Sequence, residues 1–149
     1  MRKPIVIAVD GPAASGKGTL ARRLAAHFGF AHLDSGLLYR LVALKVLNSG
    51  RHPGDETSAA AAACEIDPTD AGHNDLRADN IAEAASIVAA FPRVRASLLD
   101  YQRSFASRPP EGFKGSVIDG RDIGTVVCPD ADAKLFVDAR SQVRAHRWR

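Results

Sequence analysis

Gly11-Pro-Ala-Ala-Ser-Gly-Lys-Gly-Thr19 is the stretch of this sequence best suited to chemistry: a glycine, four residues, then Gly-Lys. An apolar, β-branched run, Ile5 to Val9, precedes it, and Leu20, Leu24 and Phe28 follow at helical spacing. A buried strand, a glycine-bearing turn and a helix start, in that order, make a cradle for an anion. The N–H groups of the turn and of the first helical turn have no partner within the helix, and the helix dipole adds about half a positive charge at the same end. Gly11 and Gly16 stand where a Cβ would block close approach or forbid a positive φ. Lys17 adds one full positive charge. The ligand this suits is a polyphosphate, held by Gly11, Pro12, Ala13, Ala14, Ser15, Gly16, Lys17, Gly18 and Thr19.

The spacing is that of a Walker A loop with one departure. Gly18 stands where that motif has Ser or Thr, and the hydroxyl comes one position later, at Thr19. Gly18 therefore has no side chain with which to ligate magnesium. A second group of residues lies far along the chain. Asp119 closes the apolar run Ser116-Val-Ile and is followed by Gly120-Arg-Asp122. An acid at the end of a buried strand can hold magnesium, directly or through water, or can cap a tight turn with Gly120. Arg40 and Arg121 both follow strand ends, and the planar fork of arginine grips phosphate oxygens in pairs. Taken alone, Arg40 also reads as a solvated helix face, and Arg121 as a salt bridge to Asp119 or Asp122. Asp34 reads as an aid to a metal or, by preference, as a cap on the following helix. His32, His52, His73 and His146 show no ligand spacing, and no chemistry is expected of them.

The elements that must position these groups follow from the apolar pattern. Helices are expected over 17–28, with Gly29 as its stop, and over 36–48, 55–64, 76–90 and 92–105. Strands are expected at 5–9, 30–33, 116–119 and 133–138, and a last helix, bearing Arg144 and Arg147, from 139. Residues 50–54, 67–75 and 107–115 read as polar or Gly/Pro-rich breaks. Strands alternating with helices predict an α/β fold: a P-loop, NTP hydrolase-like parallel sheet flanked by helices, with ligands at the carboxyl ends of the strands. Residues 1–49 and 113–149 form the core of one domain, and 50–112 a helical, substrate-binding insertion.

Composition sets the frame. The chain has 149 residues, 46% hydrophobic and 25% charged, which fits a folded soluble domain rather than a disordered one. The net charge is only +3 and the arginines are spread, so no nucleic-acid partner is expected. The apolar run before Asp10 is too short for a secretory leader, and no stretch is long enough to cross a membrane. Cys64 and Cys128 lack metal-ligand spacing and read as two buried, reduced thiols, which fits the cytoplasm.

Four blocks now stand in order: Asp10 to Thr19; Leu33-Asp-Ser-Gly-Leu-Leu-Tyr-Arg40; Ala84-Ala-Ser86 with Phe91-Pro-Arg-Val-Arg95; and Asp119-Gly-Arg-Asp-Ile-Gly-Thr-Val-Val127. Together they resemble the bacterial cytidylate kinase family over most of residues 5 to 147. The resemblance implies a nucleoside monophosphate kinase that transfers the γ-phosphoryl group of ATP to CMP or dCMP, with Mg2+. It implies that Lys17 and the loop amides hold the β- and γ-phosphates, that Asp119 serves the metal, and that Lys17, Asp119 and Arg121 carry the chemistry. Ser35, Arg40 and Arg121 would grip the CMP phosphate. Asp122 and Ser86 would face the base, with Arg95 donating to its acceptor edge. The physical chemistry agrees. The nucleophile is a phosphate oxygen that is already anionic, so catalysis needs positioning and charge neutralisation rather than a general base. Without the resemblance, a kinase for another small acceptor (UMP or shikimate) and a nucleotide- or RNA-binding module without catalysis stay open.

Two features depart from the family. Cys64 to Asp75 is too short and too polar for the small antiparallel sheet the family carries in its insertion. Ala145-His-Arg147 resembles the entry to the family's lid, yet the rest of the lid, its arginines, a sugar-binding acid and a final strand and helix do not follow. Arginines at a phosphoryl transition state can be worth roughly a thousandfold in rate. A longer natural chain is therefore expected, as is weak or absent catalysis by this stretch alone. The expected protein is a monomer acting on small molecules, with no membrane partner.

Overall fold

The computed structural model of the chain describes residues 3–12, 15–67, 76 and 78–138. In chain order the elements are β1 (Ile5–Asp10), α1 (Lys17–Phe28), β2 (Ala31–Asp34), α2 (Ser35–Asn48), α3 (Glu56–Cys64), α4 (Asp79–Val88), α5 (Pro92–Ser107), β3 (Gly115–Gly120), a turn of π-helix (Ile123–Val127) and β4 (Ala133–Phe136). Of the expected elements, the helix from 139 and most of the 67–75 loop lie outside the described residues, as do Ala13 and Ala14 of the cradle. The chain forms two compact units, Met1–Ser35 with Gln102–Arg149, and Gly36–Tyr101.

The first unit is built on a parallel four-stranded sheet in the order β2-β3-β1-β4. The apolar runs read from the sequence are its strands. β3 is buried along its whole length, as befits an inner strand of a parallel sheet. Ile7, Val9 and Val117 pack with Ala21 and Ala25 of α1, and Leu20, Leu24, Phe30 and Val137 complete this layer. The small alanines of α1 let the helix lie close on the sheet. α1 stops where expected: Gly29 takes the left-handed conformation (φ 69°), its N–H bonding the Ala25 carbonyl. β4, expected over 133–138, spans Ala133–Phe136 at the edge of the described sheet and is exposed at all four residues. Cys128 is half-buried; burial raises its thiol pKa, against the opposing pull of the Arg103 guanidinium.

The second unit is helical. Leu38, Leu41, Val42 and Val46 of α2, Val88 of α4, and Val94 and Leu98 of α5 are fully buried. α4 begins at Asp79 rather than Leu76, because the chain enters it through an extended Ala78. Cys64 is exposed rather than buried, its Sγ 3.5 Å from the Ser97 hydroxyl. Asp55 caps α3, accepting from the N–H groups of Thr57 and Ser58 and from the Ser58 hydroxyl. The Ser58 hydroxyl, then its amide, hold the Asp55 carboxyl below its ordinary pKa.

A Cβ at Gly115 would meet the Ile5 carbonyl oxygen at 2.6 Å and the Phe30 ring at 3.1 Å. Gly115→Ala should therefore cost about 1–3 kcal/mol in urea unfolding, and an unchanged midpoint would contradict this packing. For the cap, a lowered folded-state pKa stabilises α3 above the carboxyl's unfolded value, and the gain is lost as pH falls through the folded value. Protection factors of the amides in the first turn of α3, with the intrinsic pH dependence of exchange divided out, should fall on acidification in the wild type, should be lower in Asp55→Ala near neutral pH, and should converge between the two at low pH.

Candidate active site

The cradle sits at the carboxyl end of β1. Gly11 is buried against the backbone after β4, and a Cβ there would run into the Val137 carbonyl and the Ser15 hydroxyl. Gly16 turns the chain into α1 at φ 90°, a conformation that favours glycine. Ser15 is buried, and among the described residues its hydroxyl has no hydrogen-bond partner. The Ser116 hydroxyl within β3 is likewise buried and without a partner among the described residues. Lys17 folds back across the loop, its Nζ donating to the Pro12 carbonyl at 3.3 Å. Thr19 is exposed and accepts from Arg22 at 3.4 Å. Arg22, which the motif did not single out, thus adds a cation beside the cradle, on the i, i+3 spacing of α1.

The second loop leaves the carboxyl end of β3. β1 and β3 pair directly, with Val9 opposite Asp119 and Asp10 opposite Gly120, and the Gly11 N–H donates to the Gly120 carbonyl at 3.2 Å. The cradle and the Gly120-Arg-Asp122 loop therefore start side by side. Arg121 is exposed, and among the described residues it makes no ion pair with Asp119 or Asp122. Asp122 is exposed and left-handed (φ 59°), and its carbonyl accepts from Val126 and Val127 in the π-helical turn. Asp10 reaches across from β1: its two oxygens accept from the Ile123 and Gly124 N–H groups at 2.6 and 2.8 Å.

Asp119 is 2% exposed, and its Oδ2 accepts from Nε2 of His32 on β2 at 2.5 Å. His32 thus has a partner that histidine spacing could not reveal. The other Asp119 oxygen has no hydrogen bond among the described residues. Ser35 is buried beside Gly120, where a Cβ would come within 2.7 Å of the Ser35 Cβ, and its hydroxyl donates to Oε1 of Gln102 at 2.8 Å. Among the described residues no three His, Cys, Asp or Glu side chains gather to hold a metal.

The remaining expected residues belong to the helical unit. Arg40 is half-buried on α2. Ser86 is exposed on α4, its hydroxyl donating to the Ala82 carbonyl at 3.2 Å. Arg95 caps α4, donating to the Ala89 and Ala90 carbonyls at 3.0 and 2.9 Å. Burial raises the pKa of the nearby Tyr39 phenol, against the pull of the Arg95 guanidinium. Within this unit a role toward a base requires Arg95 to give up the carbonyls it caps.

The His32–Asp119 pair yields a stability prediction. Removing one partner leaves a buried carboxylate unsatisfied, so His32→Ala should destabilise the fold by about 1–3 kcal/mol, read by denaturant unfolding. A smaller loss in the Asp119→Asn background would show that the two side chains act as a pair, and equal losses would show that they do not.

The family model for cytidylate kinase matches residues 7–149. Proteins named cytidylate kinase from Nitrobacter winogradskyi and Rhodospirillum rubrum are 58% and 57% identical to it over 143 residues, 96% of this chain. A third, from Paramagnetospirillum magneticum, is 58% identical over 142 residues. The chain spans 66% to 67% of the length of these curated relatives. A glycine cradle and an Asp-Gly-Arg-Asp loop set on adjacent parallel strands, together with this match along nearly the whole sequence, place the chain in the cytidylate kinase family.

Proposed function

We propose that the protein transfers the γ-phosphoryl group of ATP to CMP and dCMP. The observation that carries the reading is the pairing of Asp10 with Gly120, which starts the polyphosphate cradle and the Arg121–Asp122 loop from neighbouring strands. A donor phosphate in the first and an acceptor phosphate at the second would lie within reach of each other.

In this reading the amides of Gly11 to Thr19 and the Lys17 ammonium hold the β- and γ-phosphates. Lys17 exchanges the Pro12 carbonyl for phosphate oxygens, and the unpartnered Ser15 hydroxyl gains an acceptor. Arg121, with Arg40 and Ser35, holds the acceptor phosphate, which carries about two negative charges. Asp122, Ser86 and Arg95 read the cytosine. The attacking phosphate oxygen is already ionised, so no side chain has to remove a proton. Lys17 and Arg121 instead offset the charge that spreads over the transferred group.

Asp119 is the acid that suits magnesium. Mg2+ takes most of its ligands from phosphates and water and needs few carboxylates. The absence of a three-carboxylate cluster among the described residues is thus compatible with it. One Asp119 oxygen is held by His32, which leaves the other for the ion or its water. Bound there, Mg2+ would neutralise charge on the transferring phosphates.

A coupled ADP-release assay across nucleoside monophosphates tests the reading. CMP and dCMP should be the preferred acceptors; faster turnover of UMP or AMP would overturn the choice. Lys17→Met should lower kcat at least a hundredfold while leaving the unfolding midpoint in place, and full activity would remove Lys17 from the cradle. Arg121→Ala should weaken CMP at least tenfold more than ATP, whereas equal losses would take it away from the acceptor.

A further inference from the structure

Asp10 is the residue at which the two loops meet, and it serves them differently. Its main chain belongs to the sheet: it pairs with Gly120 and with Phe136, and its carbonyl accepts from the Val137 N–H at 2.7 Å. Those bonds fix the point from which the cradle departs, whatever side chain the residue carries. Its carboxylate belongs to the other loop. Oδ1 accepts from Ile123 at 2.6 Å and Oδ2 from Gly124 at 2.8 Å.

These two amides open the π-helical turn, where N–H groups have no partner within the helix. A carboxylate suits them twice over: it has an acceptor for each, and its charge faces the positive end of the turn. The close fit extends to Gly124, where a Cβ would lie 3.4 Å from Oδ2 and 3.1 Å from the Lys134 side chain. Arg121 and Asp122 are thereby held at both ends. Gly120 is fixed by the ladder to β1, and Ile123 by the Asp10 side chain. Between them Asp122 carries the left-handed turn that the two-residue span requires.

We propose that Asp10 is a positioning residue that sets Arg121 and Asp122 relative to the phosphate cradle, and so governs acceptor affinity without governing donor affinity. The proposal rests on the reading above that these two residues face the acceptor nucleotide. Asparagine at position 10 keeps the size but has one acceptor oxygen; its NH2 group would face an N–H, donor against donor. Alanine removes both bonds.

The test measures dissociation constants for CMP and for ATP, each alone, on the wild type, Asp10→Asn and Asp10→Ala, well below the lowest unfolding temperature of the three. CMP should weaken at least tenfold in Asp10→Asn and further in Asp10→Ala, while ATP stays within twofold. Equal weakening of both ligands, or unchanged CMP binding, would reduce Asp10 to a purely structural residue and overturn the proposal while sparing the functional reading. A wild type that binds ATP but no CMP would overturn both.

Discussion

β1 and β3 run parallel with Asp10 opposite Gly120, and the site depends on that register. A slip of one residue would turn every side chain of one strand to the other face. Asp119 would then leave the α1 side of the sheet, and the loop after Gly120 would start away from the cradle. The register is held by burial: Ile7, Val9 and Val117 must all meet Ala21 and Ala25. A hydrophobic requirement in the core thus fixes the separation of two polar loops at its rim. The general rule that open parallel sheets bind ligands at their carboxyl ends has, in this chain, that specific physical cause.

The cradle and the second loop use opposite ways of handling backbone polar groups. Around Ser15 and Gly16 the structure holds a buried hydroxyl without a partner among the described residues and a left-handed glycine. After Gly120 the Ile123 and Gly124 amides are satisfied internally, by Asp10, and the exposed groups are side chains, Arg121 and Asp122. A main-chain surface suits the repetitive charge of a polyphosphate. A side-chain surface suits an acceptor that must be told apart from its analogues.

Much of this was legible in the sequence where the signal is local. Glycine spacing gave the cradle, Gly29 the end of α1, Asp55 the start of α3 and Pro92 the start of α5. The strands were visible as apolar runs, to within two residues at each end. What could not be read was contact between distant residues. His32 and Asp119 are 87 residues apart, and Asp10 and Ile123 are 113 apart. No spacing rule joins such pairs; only the strand order β2-β3-β1 brings them together. Arg95 shows the converse limit. A basic residue just after Pro92 reads as a solvent or ligand contact, yet its guanidinium is drawn to the open carbonyls at the end of α4.

Two ligands are expected to meet at two loops set on one pair of strands. Amide-resolved NMR titration of the chain tests it most directly. ATP should shift the resonances of Gly16 to Thr19 first, CMP those of Gly120 to Gly124, and both together should perturb the two sets at once. CMP and ATP competing for the Gly16–Thr19 amides, with the Gly120–Gly124 set unmoved, would contradict it.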